Sequence, residues 1–400
     1  MPEKIKISLL IFSILQFLLD LYIFKNWKKF ILQKKWSNSY YQFYLAVSII
    51  LLPLSIYTAN YHFNNPVRDT FHSYLLMFVN IWWISKIPSV LSLLLKDIIS
   101  LFIKKKKPKE TSFEKRRDFL VSTGWTLAAV PYLITTNGAL NTKNDIKVKT
   151  ISVPILNLHP DLHNTWIAQI SDLHLGSFFD DKLMSRTIDK INSLGADMVM
   201  ITGDFVNYDH REYEKFYKLM KKFSKMKNVF ACLGNHDHYV SSKYIGDLKD
   251  MINSSGIDLL INESRVFEKN KGRLNIAGID NIGHGQNYGD FNKTFLNVDN
   301  AFNTILLAHD PRNWDQSIIS KRYADLTLSG HTHGGQLVFE FMNERFSPVQ
   351  FIYKQWAGLY TNTEQHIYVN TGLGTVGPPI RIGVAPEITM IRLVPSNVLT

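Results

Sequence analysis

The chain has 400 residues, 46% of them apolar, a formal net charge of +11 and a single cysteine, Cys232. That length favours two parts over one domain, and one cysteine excludes both an intrachain disulfide framework and a thiolate zinc cage. The excess positive charge lies in lysine runs beside apolar segments of the first third, a pattern of membrane topology and anionic lipid contact rather than of a nucleic-acid surface.

The first apolar run, Ile7 to Phe24, carries Asp20 as its one charge and has the length of a membrane span. A second runs from Tyr41 to Tyr57. A third, Tyr74 to Ile103, is interrupted by Lys86, Pro88, Lys96 and Asp97. Lys25, Lys28, Lys29, Lys34 and Lys35 follow the first run. Lys104 to Lys107, Lys109, Lys115, Arg116 and Arg117 follow the third, and Arg68 is the one Lys or Arg between runs two and three. With both Lys-rich segments on the cytoplasmic side, an even number of crossings separates them. The third region is therefore read as one tilted crossing that continues as an interfacial helix, Leu95 to Lys107.

Next stands Lys115-Arg116-Arg117-Asp118-Phe119-Leu120, followed by an apolar stretch to Thr135 rich in small residues (Ser122, Thr123, Gly124, Ala128, Ala129). This resembles a twin-arginine export signal, and implies a last crossing to the outside. No clear small-x-small cleavage site follows it, so an uncleaved anchor is expected. The expected division is 1–117 as a transmembrane region of about three spans, 118–145 as anchor span and linker, and 146–400 as a folded domain.

From about Asp145 the apolar runs shorten. Trp166 to Ile170, Met198 to Thr202, Val229 to Leu233, Thr304 to Ala308 and Ala324 to Ser329 read as strands. Asp180 to Leu194 and Tyr213 to Lys227 read as helices, which together indicate a layered α/β fold. Each strand runs into polar residues suited to a metal: Asp172-Leu173-His174, Gly203-Asp204, Gly234-Asn235-His236-Asp237, His309-Asp310-Pro311 and Gly330-His331-Thr332-His333-Gly334. Side chains at strand ends converge in such sheets. Asp and His together suit manganese, iron or zinc. A carboxylate can bridge two metals, and Asp204, preceded by Gly203, is the natural bridge; Asn235 adds a neutral carbonyl oxygen. Two metals about 3.5–4 Å apart can hold a bridging hydroxide and clamp phosphate oxygens.

These five ordered blocks resemble the calcineurin-like metallophosphoesterase superfamily over about residues 165 to 390. The upstream signal, Asn370-Thr371-Gly372-Leu373-Gly374, Pro379-Ile380-Arg381 and Pro386-Glu387-Ile388 are similar to its bacterial membrane-linked branch. The resemblance implies a four-layer β-sandwich flanked by helices, here preceded by an all-α transmembrane region. It implies one metal on Asp172, His174 and His333, a second on Asn235, His309 and His331, and Asp204 bridging both. His236 would assist the leaving oxygen, and Asp237 would orient His236. The chain departs from the family in having no proline between Gln336 and Pro348, so the loop over the site is expected to be unusual.

The implied activity is metal-dependent hydrolysis of a phosphomonoester or phosphodiester, lipid-linked or in the cell envelope, with two divalent ions and no covalent enzyme intermediate. The expected partners are that substrate, the bilayer and the twin-arginine export machinery, with no nucleic acid. One alternative is a UDP-diacylglucosamine-type pyrophosphate hydrolase on the cytoplasmic face, which conflicts with the outward topology. Another is a non-catalytic metal-binding sensor, against which His236 argues. Elsewhere, His238 reads as a plain neighbour of the site, Gly283-His284-Gly285 as a flexible turn, and Cys232 as a small core residue. Arg381 reads equally as an anion contact or a structural pair. The aromatic stretch Phe339 to Tyr360 reads first as core and second as a bilayer contact.

Overall fold

A computed structural model describes residues 3–67, 69–103, 110–321, 324–342 and 344–396. Two compact units divide the chain, Met1–Leu140 and Asn141–Thr400.

The N-terminal unit contains four helices among its described residues: α1 (Glu3–Gln33), α2 (Ser39–Asn64), α3 (Thr70–Ile103) and α4 (Glu110–Leu140). Among the described residues, two stretches, Ser39–His62 and Thr70–Ile99, are long and apolar enough to cross a bilayer. Pro88 sits inside α3, which continues past it as one helix; Lys104 to Lys107 and Lys109 lie outside the described residues. Small side chains let α3 and α4 approach closely. The hydroxyls of Ser85, Ser89 and Ser92 donate to the carbonyls of Pro131, Ala128 and Gly124 at 3.3, 2.6 and 3.2 Å, a small-residue seam of the kind that joins helices in lipid. Asp20 of α1 is buried against Lys86 of α3 at 2.6 Å and accepts from Tyr44 and Ser48 of α2. A charge in such a unit is tolerated because it is paired.

The C-terminal unit alternates strands and helices. In chain order these are β1 (Lys147–Ile155), β2 (Trp166–Ile170), α5 (Lys182–Ser193), β3 (Met198–Thr202), α6 (His210–Met220), β4 (Val229–Cys232), α7 (Ile245–Ser254), β5 (Asp258–Leu259), β6 (Glu263–Lys269) and β7 (Gly272–Gly278). There follow β8 (Ile282–Gly283), β9 (Gln286–Asn287), β10 (Thr304–Leu307), β11 (Leu326–Ser329), β12 (Phe339–Phe341), β13 (Glu344–Phe346), β14 (Gly358–Asn362), β15 (Gln365–Val369) and β16 (Glu387–Pro395). One six-stranded sheet has the order β1-β16-β2-β3-β4-β5, the other β14-β15-β11-β10-β7-β6. The central strands β2, β3 and β4 run parallel, as do β7, β10, β11 and β15.

Parallel strands buried on both faces need apolar residues at every position, with alternate side chains serving different layers. Met198 and Met200 enter the core between the sheets, while Val199 and Ile201 face α5, α6 and α7. Likewise Ile305 and Leu307 point between the sheets, and Leu306 and Ala308 pack outward with Trp314 and Ile318. Helices, sheet, sheet and an outer helical layer make the four-layer sandwich anticipated from the motif order. Cys232 is a buried member of the inter-sheet core. The carboxyl ends of the parallel strands of both sheets meet at one end of the sandwich, as contacts between their loops show: His309 Nδ1 lies 2.6 Å from Thr202 O, and His331 N–H donates to the Asp172 carboxylate at 3.0 Å.

Candidate metal centre

The polar residues after β2, β3 and β11 turn sharply off their strands. Asp172, His174, Asp204, His331 and His333 all have positive φ, between 42° and 71°. For residues with a Cβ this left-handed conformation is sparsely populated and costs free energy, and such residues cluster at sites of chemistry. Neighbouring glycines make room for the crowding. A Cβ on Gly330 would collide with the Ser171 hydroxyl and the Asp172 carboxylate, and one on Gly234 with the Asp204 carboxylate.

The turns bring the side chains together. Ligand atoms of Asp172, His174 and His333 lie within 4.8 Å of one another, as do those of Asp204, His309 and His331, and those of His174, Asp204 and His236. Asp204 joins the groups: its Oδ2 is 3.5 Å from His174 Nε2 and 3.1 Å from His309 Nε2. His333 Nε2 lies 3.3 Å from Asp172 Oδ1 and 3.1 Å from His174 Nε2. His331 Nδ1 lies 3.2 Å from His309 Nε2. Asn235 Oδ1 is buried without a hydrogen-bond donor, while its Nδ2 donates to the Tyr239 hydroxyl. An orphaned carbonyl oxygen beside this cluster is an acceptor waiting for a cation.

Electrostatics support the same reading. Burial pushes His174 and His331 down to about 3 and His333 well below the usual imidazole range, so these rings are neutral and able to bind a metal. Burial pushes Asp172 up to about 6. His309 and Asp204 go the other way. Burial opposes charge on both, yet their mutual attraction overcomes it, holding His309 up at about 10 and Asp204 well below the carboxylate range. In the metal-free protein Asp204 and His309 thus form an ion pair among neutral imidazoles, and a metal on His309 Nε2 would displace its proton. His309 Nδ1 donates to Thr202 O at 2.6 Å, which leaves Nε2 facing Asp204.

A calcineurin-like phosphoesterase model matches residues 165–335, the stretch that carries these blocks. Metallophosphoesterase YkoQ of Bacillus subtilis is 30% identical, over 67% of this chain and 96% of its own length. The chain belongs to the calcineurin-like phosphoesterases. Phosphodiesterase YaeI of Escherichia coli is also 30% identical, over 56% of this chain and 80% of that protein. Metallophosphoesterase Cj0846 of Campylobacter jejuni is 30% identical over 64% of this chain, and the match spans 65% of that relative's length, just under two thirds. A second family model, described as a probable calcineurin-like phosphoesterase transmembrane domain, matches residues 5–143.

Within this phosphoesterase site, Asp237 has a different task from the expected one. His236 Nδ1 lies 2.7 Å from the carbonyl of Asn207, which sets that ring. The Asp237 carboxylate instead accepts the backbone N–H groups of Asp204, Phe205, Val206 and Gly234, at 2.8 to 3.2 Å. It holds the Asp204 turn against the Gly234 turn. Asp237→Ala would leave these buried donors unpaired, and a loss on the order of 3–5 kcal/mol is expected. Chemical denaturation followed by intrinsic fluorescence measures it. An unchanged transition would contradict the clamp.

Several residues around the centre carried no motif. Tyr353 donates or accepts at His331 Nε2 (2.9 Å) and His284 Nε2 (3.2 Å), so His284 packs on the site instead of marking a bare turn. Glu212 of α6 accepts from the N–H groups of Asn207, Tyr208 and Gly176, and so fixes the carbonyl that orients His236. A Glu one turn into a helix has no distinctive spacing, so nothing in the sequence marked it. His238 is no idle neighbour: it is buried against Asp280 at 2.6 Å. Arg381 is fully buried, donates to the carbonyls of Thr371 and Gly374, and has its Nη2 3.4 Å from His333 Nδ1. The aromatic stretch departs most from expectation. Tyr353 is buried, whereas Phe339, Phe341, Phe346 and Phe351 are exposed.

Proposed function

We propose that this chain is a membrane-anchored phosphoesterase that hydrolyses a phosphate ester at a centre for two divalent ions, manganese, iron or zinc. The observation that carries the reading is Asp204, whose single carboxylate reaches both histidine groups while Asn235 Oδ1 stands unpaired beside them. Asp172, His174 and His333 would hold one ion, Asn235, His309 and His331 the other, with Asp204 shared. When bound, such a pair supplies a water of lowered pKa and neutralises charge on phosphoryl oxygens.

The protein's own groups do the rest. The carbonyl of Asn207 fixes the ring of His236 at Nδ1, which leaves Nε2 to hold a proton for the departing oxygen. No side-chain nucleophile is needed. Cys232 lies between the sheets with its thiol pushed up by burial, and the Ser171 hydroxyl is spent on Thr202 O. Water therefore attacks phosphorus directly.

The substrate we favour is a lipid-linked or cell-envelope ester. The charge pattern of the first 117 residues favours the extracytoplasmic face for the folded unit, with Arg116-Arg117 as the export signal that engages the twin-arginine machinery. The test is hydrolysis of bis(p-nitrophenyl) phosphate and p-nitrophenyl phosphate by purified full-length protein. Activity is expected with manganese, is expected to vanish after EDTA treatment and dialysis, and to return on adding manganese. Turnover that survives removal of bound metal would defeat the proposal.

A further inference from the structure

One apolar surface of the C-terminal unit is unexplained by its core. β12 and β13 pair only with each other, as an antiparallel hairpin with Phe339 opposite Phe346. Phe341 is 73% exposed, Met342 82% and Phe351 78%, with Phe339, Phe346 and Ile352 also exposed. Other exposed apolar residues of this unit, such as Val266 and Leu296, are isolated along the sequence. A contiguous patch of this kind marks a contact surface.

The patch is tied to the metal centre. The hairpin leaves the loop that carries His331 and His333, and Ser347 Oγ donates back to Gly334 O at 2.9 Å. Tyr353, next to Ile352, holds His331.

The point where the chain enters this unit lies at the same end. β1 starts at Lys147, which pairs with Glu387 at the start of β16. Glu387 N–H donates to Gly372 O, and Gly374 N–H donates to Asp172 O. Since β16 lies between β1 and β2, Lys147 sits two strands from the end of β2, about 10 Å across the sheet. Only residues 141–146 separate β1 from the end of α4 at Leu140, a segment that reaches at most about 20 Å. Residues 5–143 match a transmembrane domain. The tether to the membrane, the apolar hairpin and the metal-site loops thus share one end of the sandwich.

We propose that this hairpin, with Phe351 and Ile352, docks into the bilayer that anchors the chain. The metal centre then opens on the membrane surface and takes a phosphate ester whose apolar tail stays in the lipid. The substrate half rests on the hydrolase reading above: water adds hydroxyl to phosphorus, the P–O ester bond breaks, and the released alcohol keeps the second proton. Phenylalanines at a tip seat in the headgroup–acyl boundary, and a buried tail then needs no full extraction from lipid before reaction.

The test uses full-length protein in nanodiscs of phosphatidylcholine and phosphatidylglycerol. Phe341→Cys and, as a control at an exposed site outside the hairpin, Leu296→Cys are each labelled with an environment-sensitive nitrobenzoxadiazole probe; Cys232 is buried. Docking predicts blue-shifted emission at position 341, quenched by lipids spin-labelled near the headgroup, and aqueous emission at 296. Aqueous emission at both positions overturns docking. So does a blue shift at 341 that spin-labelled lipid leaves unquenched, which would mean a second copy or another protein covers the patch.

A second readout compares methyl and long-chain alkyl esters of p-nitrophenyl phosphate. In Phe341→Ser/Phe351→Ser the preference for the long-chain ester is expected to fall on the order of tenfold. An unchanged preference overturns the substrate assignment. If wild type hydrolyses neither ester, the hydrolase reading fails, while the quenching result still decides docking.

Discussion

Asp204→Ala is expected to lower turnover of bis(p-nitrophenyl) phosphate by on the order of a thousandfold or more. The Asp204 carboxylate reaches a histidine of each half of the centre. Its Oδ2 lies 3.1 Å from His309 Nε2 and 3.5 Å from His174 Nε2, and its Oδ1 accepts the N–H of His236 at 2.8 Å. On the proposed two-ion reading, removing it takes away the ligand that both ions would share. Asp204→Asn sharpens the reading, because it keeps an acceptor for the His236 N–H but loses the bridging charge. Both variants should lose turnover together with metal content, read by steady-state kinetics beside elemental analysis. Near wild-type rates in either would remove Asp204 from the centre of the mechanism.

His236→Gln carries the second large effect, and its size should depend on the leaving group. p-Nitrophenolate departs without a proton, so the loss on nitrophenyl esters should be modest. An alkoxide needs one, and a loss on the order of 10²–10⁴-fold is expected on alkyl phosphodiesters. Metal content should stay at the wild-type level, because the seven other residues still enclose the centre. Equal losses on both substrate types would show that His236, whose ring lies with His174 and Asp204, positions substrate or binds metal instead of delivering a proton.

The fold and the site differed in how far they could be read from the residues. The strands that end in Asp172, Asp204 and Asn235 were legible because continuous short apolar runs, each closed by a glycine or a metal-type residue, have little other use. β2 and β3 fall on Trp166–Ile170 and Met198–Thr202. β1 and β16 were silent because their alternation is masked by partly exposed positions such as Lys149 and Arg392. Of the site, the residues in motifs converge within a few ångströms, since a metal centre constrains type and spacing alike. The residues that support them were not legible. Asn207 acts through its backbone carbonyl, which any residue could supply, and Glu212 and Tyr353 arrive from a helix and a distant loop. The resemblance gave Asp237 the task of orienting His236, whereas its carboxylate accepts backbone N–H groups of the Asp204 turn, more than thirty residues away, and of Gly234. The hairpin aromatics were read as core from composition, and only the tertiary arrangement leaves them uncovered.

The most direct test is electron paramagnetic resonance of the full-length metal-free protein titrated with manganese. The account predicts that two equivalents bind and that the spectrum becomes that of an exchange-coupled pair, with the coupling lost in Asp204→Ala. Only isolated, uncoupled manganese signals at saturation would contradict a shared two-ion centre.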